Sequence, residues 1–138
     1  MRLLIVLFAL LLATPAAAQT RVLDAFEDLA PWTADASTDV ESAVTAVAGH
    51  DGEAMRLTYD FNGRSGYAFA ARALPLTVPE NYEIAFWVRG QGPTNTLEIK
   101  LVDASGENVH WRRVPGWTAP DGWTLFTIKK RQIAFAWG

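Results

Sequence analysis

Apolar residues at every second position, in short runs broken by glycine, proline, aspartate and asparagine, restrict the fold of this chain more than any other feature. Met55, Leu57, Tyr59 and Phe61 alternate with Arg56, Thr58 and Asp60. Tyr82, Ile84, Phe86 and Val88 alternate with Glu83, Ala85, Trp87 and Arg89, and Leu97, Ile99 and Leu101 with Glu98, Lys100 and Val102. Successive side chains of a strand point to opposite faces, so each run reads as a strand with one side hidden. Further strands are expected over residues 21–26, 40–48, 66–74, 107–114 and 123–129. Residues 40–48 also suit a helix through Val40, Ala43, Val44 and Val47, but Gly49, His50, Asp51 and Gly52 behind them read as a hairpin turn and favour the strand. Turns are expected over residues 62–65 and 103–106, and no long segment carries helical periodicity. Short strands joined by turns imply an all-β fold, an antiparallel β-sandwich.

The chain has 138 residues, the size of one domain. Its start has the parts of a secretory signal peptide: Arg2, an apolar run over residues 3–13, Pro15, then Ala16, Ala17 and Ala18. Cleavage is expected after Ala18, giving a signal peptide over 1–18 and a domain over 19–138 that is secreted or periplasmic. The apolar run falls short of the roughly 20 residues a membrane span needs, so no membrane insertion is expected once the leader is gone. Losing Arg2 takes the formal charge from −3 to −4, which offers no footprint for nucleic acid. With no cysteine in the chain, burial must hold the fold, with a bound ion as the one alternative staple. Export without cysteine fits a bacterial protein.

The ending, Ile133, Ala134, Phe135, Ala136, Trp137 and Gly138, carries two large aromatics and no polar tail. Exposed apolar edges are normally avoided. The expectation is a domain incomplete at its C-terminus, lacking a closing strand; the alternative is that this segment is itself the closing strand.

Val22, Leu23, Asp24, Ala25, Phe26, Glu27, Asp28 and Leu29 with Trp32 resemble the opening of galactose-binding-like jelly-roll domains. Leu97 to Asp103 with Gly106 and Trp111, and Trp123 leading into Phe126, Thr127 and Ile128, fit the same pattern. Such domains include the family-11 carbohydrate-binding modules and the complex I intermediate-associated family. The residues from Lys129 to Gly138 resemble a segment inside such domains in bacterial exported proteins with discoidin-like (coagulation factor 5/8 type) or glycosidase-like domains further along. The resemblance implies a β-jelly roll, binding of a poly- or oligosaccharide, and other domains of a longer exported protein as partners.

Catalytic signatures are missing. His50 and His110 lie on different predicted hairpins, and there is no zinc-binding His-Glu-x-x-His, no Gly-x-Ser-x-Gly and no glycine loop for phosphate. The six tryptophans are the stronger signal, because an indole face fits the C–H face of a pyranose while polar neighbours take its hydroxyls. If Val109 and Trp111 face the core, the outward residues Glu83, Trp87, Arg89, Glu98, Lys100, Asn108, His110 and Arg112 form one polar surface with a ring in it. That surface suits neutral or acidic sugars; a plain solvated sheet face carries the same alternation. Trp117, expected in a loop, and Tyr67, at a strand start, are further candidate platforms. Trp32, Trp111 and Trp123 are expected in the core, and His50 is expected to be an ordinary turn residue. Asp24, Glu27 and Asp28 are the metal-like cluster, a candidate for structural calcium, though calcium needs six to eight oxygens and the cluster also reads as a solvated acidic start. The expected function is a non-catalytic carbohydrate-binding module; the alternative is a structural or accessory sandwich that packs on a neighbouring domain or protein.

Overall fold

A computed structural model describes residues 19–138; the leader expected over residues 1–18 lies outside them. Among the described residues the strands are β1 (Thr33–Ala36), β2 (Glu41–Ala48), β3 (Glu53–Asp60), β4 (Ala68–Ala71), β5 (Glu83–Val88), β6 (Asn95–Val102), β7 (Val109–Trp117), β8 (Thr124–Lys129) and β9 (Ala134–Trp137). Every pairing is antiparallel: β1 with β4, β2 with β3, β5 with β8, β6 with β7, and β9 on the other side of β7. Each half of the chain thus nests a hairpin inside a wider pair, β2–β3 within β1–β4 and β6–β7 within β5–β8. Nesting of this kind builds Greek keys and the jelly roll, and the all-β sandwich expected from the alternation is what forms.

Turn chemistry sets the registers. In the β2–β3 hairpin Ala48 pairs with Glu53, and the Gly49 N–H donates to the Gly52 carbonyl at 2.9 Å. Gly52 has φ +69°, a left-handed conformation that favours glycine, and a Cβ there would stand 2.3 Å from Glu27 Oε1 and displace that side chain. The core lies on the inner side of β5 and β8, where Ile84 pairs with Ile128 and Phe86 with Phe126, the phenyl centroids 5.4 Å apart. Ile128 (0% exposed) and Val109 (4%) are the buried apolar residues among those described. Full burial of such a side chain is worth about 1.5–3 kcal/mol.

Two expectations change. Residues 21–26 are not a strand: the Asp24 carboxylate accepts the Phe26 N–H at 2.7 Å and the Trp32 indole N–H at 2.8 Å, and pairs with Arg72. A carboxylate that captures a backbone N–H two residues on competes with a strand ladder, and Phe26 bends to φ +61°; the first strand is instead Thr33–Ala36. Second, Pro115 and Gly116 do not end a strand. The pairs Leu97–Val114 and Asn95–Trp117 leave one extra residue on β7, a bulge with Gly116 at φ +64°, and both residue types are accommodated at bulges. Ala134–Trp137 forms β9, with Phe135 and Trp137 exposed on the edge of its sheet.

Candidate functional site

The outer face of β5 and β8 is built by their register. Directly paired residues of an antiparallel sheet share a face, so Glu83 with Lys129, Ala85 with Thr127 and Trp87 with Leu125 line the side opposite the core. The last pair is Val88 with Thr124; one step further, Arg89 and Trp123 come together on the outer side, the guanidinium carbon 4.8 Å from the indole centroid. Trp87 is 45% exposed and Leu125 50%. From the neighbouring hairpin turn His50 lays its ring on Trp87, centroids 3.8 Å apart and planes 4° from parallel, with its edge toward Trp123 at 6.5 Å. The result is an exposed strip of indole, isobutyl and imidazole bordered by a guanidinium. A flat apolar surface of this kind can stack a sugar ring, and the guanidinium supplies donors for its oxygens.

Part of the polar face expected from the alternation is present: Glu83, Trp87 and Arg89 point outward together. The rest divides. Glu98 pairs with Arg113, Lys100 with Trp111 and Val102 with Val109, whereas Leu97 pairs with Val114, Ile99 with Arg112 and Leu101 with His110. Lys100 and Glu98 therefore share a face with Trp111, while His110 and Arg112 lie on the opposite face among Leu97, Ile99, Leu101 and Val114. Alternation fixes the parity of each strand separately, but the offset between them is set by the Asp103 to Asn108 turn, and here the apolar sets of β6 and β7 face opposite ways. Arg112 is half-buried, and His110 meets the edge of Phe135 at 5.4 Å.

The Lys100 face holds a second aromatic group. Trp111 and Trp137 meet edge to face at 5.4 Å, and the Lys100 Nζ lies 5.7 Å from the first centroid and 5.1 Å from the second. Glu98 takes both Lys100 and Arg113 at 3.2 Å, so these cations are already partnered.

Trp117, expected in a loop, is the half-buried last residue of β7. Tyr67 is exposed just before β4, its backbone N–H donating to Ser37 Oγ at 3.1 Å, and its ring neighbour is Phe69 at 6.0 Å. The side chains Asp24, Glu27 and Asp28 do not converge. Asp24 is held by Phe26, Trp32 and Arg72, Glu27 Oε1 accepts the Glu53 N–H at 3.1 Å, and Asp28 Oδ1 accepts the Ala30 N–H at 2.8 Å. Burial pushes the Asp24 carboxyl up, but the hydrogen bonds from Phe26, Arg72 and Trp32 and the charge of Arg72 outweigh it and hold the group below the usual carboxylate range. No group of three or more potential metal ligands exists among the described residues, and the acidic start does not fit a calcium site.

His50 and Trp123 are site residues that the sequence reading placed elsewhere. The Arg89–Trp123 partnership follows from extending the β5–β8 register outward by one pair. Nothing local in the Gly49 to Gly52 turn signals the His50 stack.

The family model described as a carbohydrate binding domain (family 11) matches residues 12–129. No curated protein and no solved structure matches the chain.

Proposed function

Because the chain belongs to the family-11 carbohydrate binding domains, we propose that it is the non-catalytic glycan-docking module of an exported protein, with its ligand on the outer face of β5 and β8. The observation that carries this is the exposed Trp87–Leu125 pair, which is bordered by Arg89 and backed by the His50 ring. An indole and an isobutyl group left in water beside unspent donors are the composition of a sugar platform, and solvated sheet faces are normally alternating and charged. Six residues of strand, Glu83 to Val88, span about 20 Å at 3.3 Å each, room for several sugar rings. Affinity electrophoresis of the folded chain in gels containing a panel of soluble polysaccharides tests it. Retardation by at least one, with a matching change in tryptophan emission, supports the reading; no retardation and no spectral change across the panel removes it.

The accessory reading has an observation of its own. Val102 and Trp137 are exposed on the Lys100 face of the β6–β7–β9 sheet, and Phe135 on its other face, apolar side chains suited to a protein neighbour. It accounts for that sheet and leaves the Trp87 platform without a role, so glycan binding is the reading the site supports better.

A further inference from the structure

We propose that the glycan held on the Trp87 face is acidic, with a uronate carboxylate set against Arg89. The inference rests on the reading of that face as a glycan platform and adds the charge class of the ligand.

Arg72 is paired with Asp24, and Lys100 and Arg113 share Glu98. Lys130 donates to the Glu80 carbonyl at 2.5 Å. Arg89, like Arg21, Arg56, Arg64, Arg112 and Arg131, has neither an ion pair nor a side-chain hydrogen bond among the described residues; what sets it apart is its place on the face that exposes Trp87 and Leu125. Its guanidinium carbon lies 4.8 Å from the Trp123 ring centroid, a cation–π contact that leaves its N–H donors without a hydrogen-bond partner. A planar fork held this way matches a carboxylate, and a neutral hydroxyl uses only part of it.

Neighbouring acids leave that fork open. Asp51 beside His50 and Asp121 before Trp123 lie in adjacent turns, and neither pairs with Arg89. Glu83 stands at the far end of β5 and faces Lys129 across the strands. Arg89 follows Trp87 by two residues on the same side, about 7 Å along the strand. A sugar ring on Trp87 and Leu125 therefore carries its own or its neighbour's carboxylate to the guanidinium. Thr127 lies on the other side of the Trp87–Leu125 pair, so the donors beside the indole are the Arg89 guanidinium and the His50 ring, and of these the guanidinium is the two-pronged one.

The test is affinity electrophoresis of the folded chain in polygalacturonate, in alginate, and in carboxyl-reduced polygalacturonate, whose backbone is the same but whose acid is an alcohol. Retardation by a uronate polymer is expected, falling at least about tenfold on carboxyl reduction or in Arg89→Ala, and partly kept in Arg89→Lys. Arg56→Ala, which removes an exposed arginine on β3, should change nothing. Equal retardation by polyglutamate would overturn the proposal, since charge alone would then account for binding. Retardation by neutral glycans with none by the uronates would overturn it too, leaving the glycan platform in place. Failure of every glycan would remove the platform reading and this inference together.

Discussion

The imidazole of His50 lies flat on the indole of Trp87, 3.8 Å between centroids, although the two residues belong to different hairpins. The contact ties the tip of β2–β3 to the outer face of β5–β8 and fixes the orientation of the exposed ring. A stacked aromatic pair contributes about 0.5–1.5 kcal/mol beyond its buried area. His50→Ala is expected to weaken glycan binding by roughly two- to tenfold, with the far-ultraviolet circular dichroism unchanged. Isothermal titration measures it, and an unchanged affinity would mean that Trp87 needs no such support.

The hairpin that presents His50 depends on its glycines. A Cβ at Gly49 would lie 2.6 Å from the Glu53 carbonyl oxygen, and Gly52 is held at φ +69°. Gly52→Ala is expected to lower stability by roughly 1–2 kcal/mol for the left-handed conformation alone, and to lower affinity further by displacing His50. Thermal melting and the same titration check both effects.

The N-terminal segment is pinned by Asp24, whose carboxylate holds the Phe26 N–H, the Trp32 indole and Arg72. Arg72→Ala or Asp24→Asn is expected to cost roughly 1.5–3 kcal/mol, the worth of a hydrogen bond to a charged group. The depressed Asp24 carboxyl contributes stability above the ordinary carboxylate range, and that contribution fades as pH falls through its lowered value. Treatment with a calcium chelator is expected to leave the melting temperature where it was. A fall that added calcium restores would contradict this account.

Asp103 organises the β6–β7 turn, accepting from the Ser105 hydroxyl at 2.6 Å and the Asn108 amide at 2.6 Å. Hydrogen bonds from Ser105, then Asn108, lower its carboxyl to about 2. A folded value below the unfolded one means the carboxylate supports the turn at neutral pH and loses that support as pH falls from about 4 toward 2. Nuclear magnetic resonance titration of the Ser105 and Gly106 amides should report a midpoint near 2. A midpoint at about 3.9, the free aspartate value, would show the bonds absent in solution.

Much of the fold was legible because it is written in local pattern. β2, β3, β5 and β6 follow from alternation and from the glycine and aspartate turns beside them, and Trp87 and Arg89 point outward as their parity requires. What was not legible depends on partners distant in sequence. Asp24 turns from strand to anchor because Arg72 reaches it, and Pro115 and Gly116 pass for a loop until Asn95 pairs with Trp117 across the bulge. His110 and Arg112 leave the binding face because the register between β6 and β7 lies outside what either strand's parity contains. His50 joins the site through tertiary packing alone.

Affinity electrophoresis of wild type, Trp87→Ala and Trp111→Ala in a polysaccharide that retards the wild type tests the central claim most directly. Loss of at least about tenfold in affinity for Trp87→Ala, with Trp111→Ala near wild type, is the predicted result. Retention of binding by Trp87→Ala with its loss in Trp111→Ala would move the site to the β6–β7–β9 sheet and contradict the account.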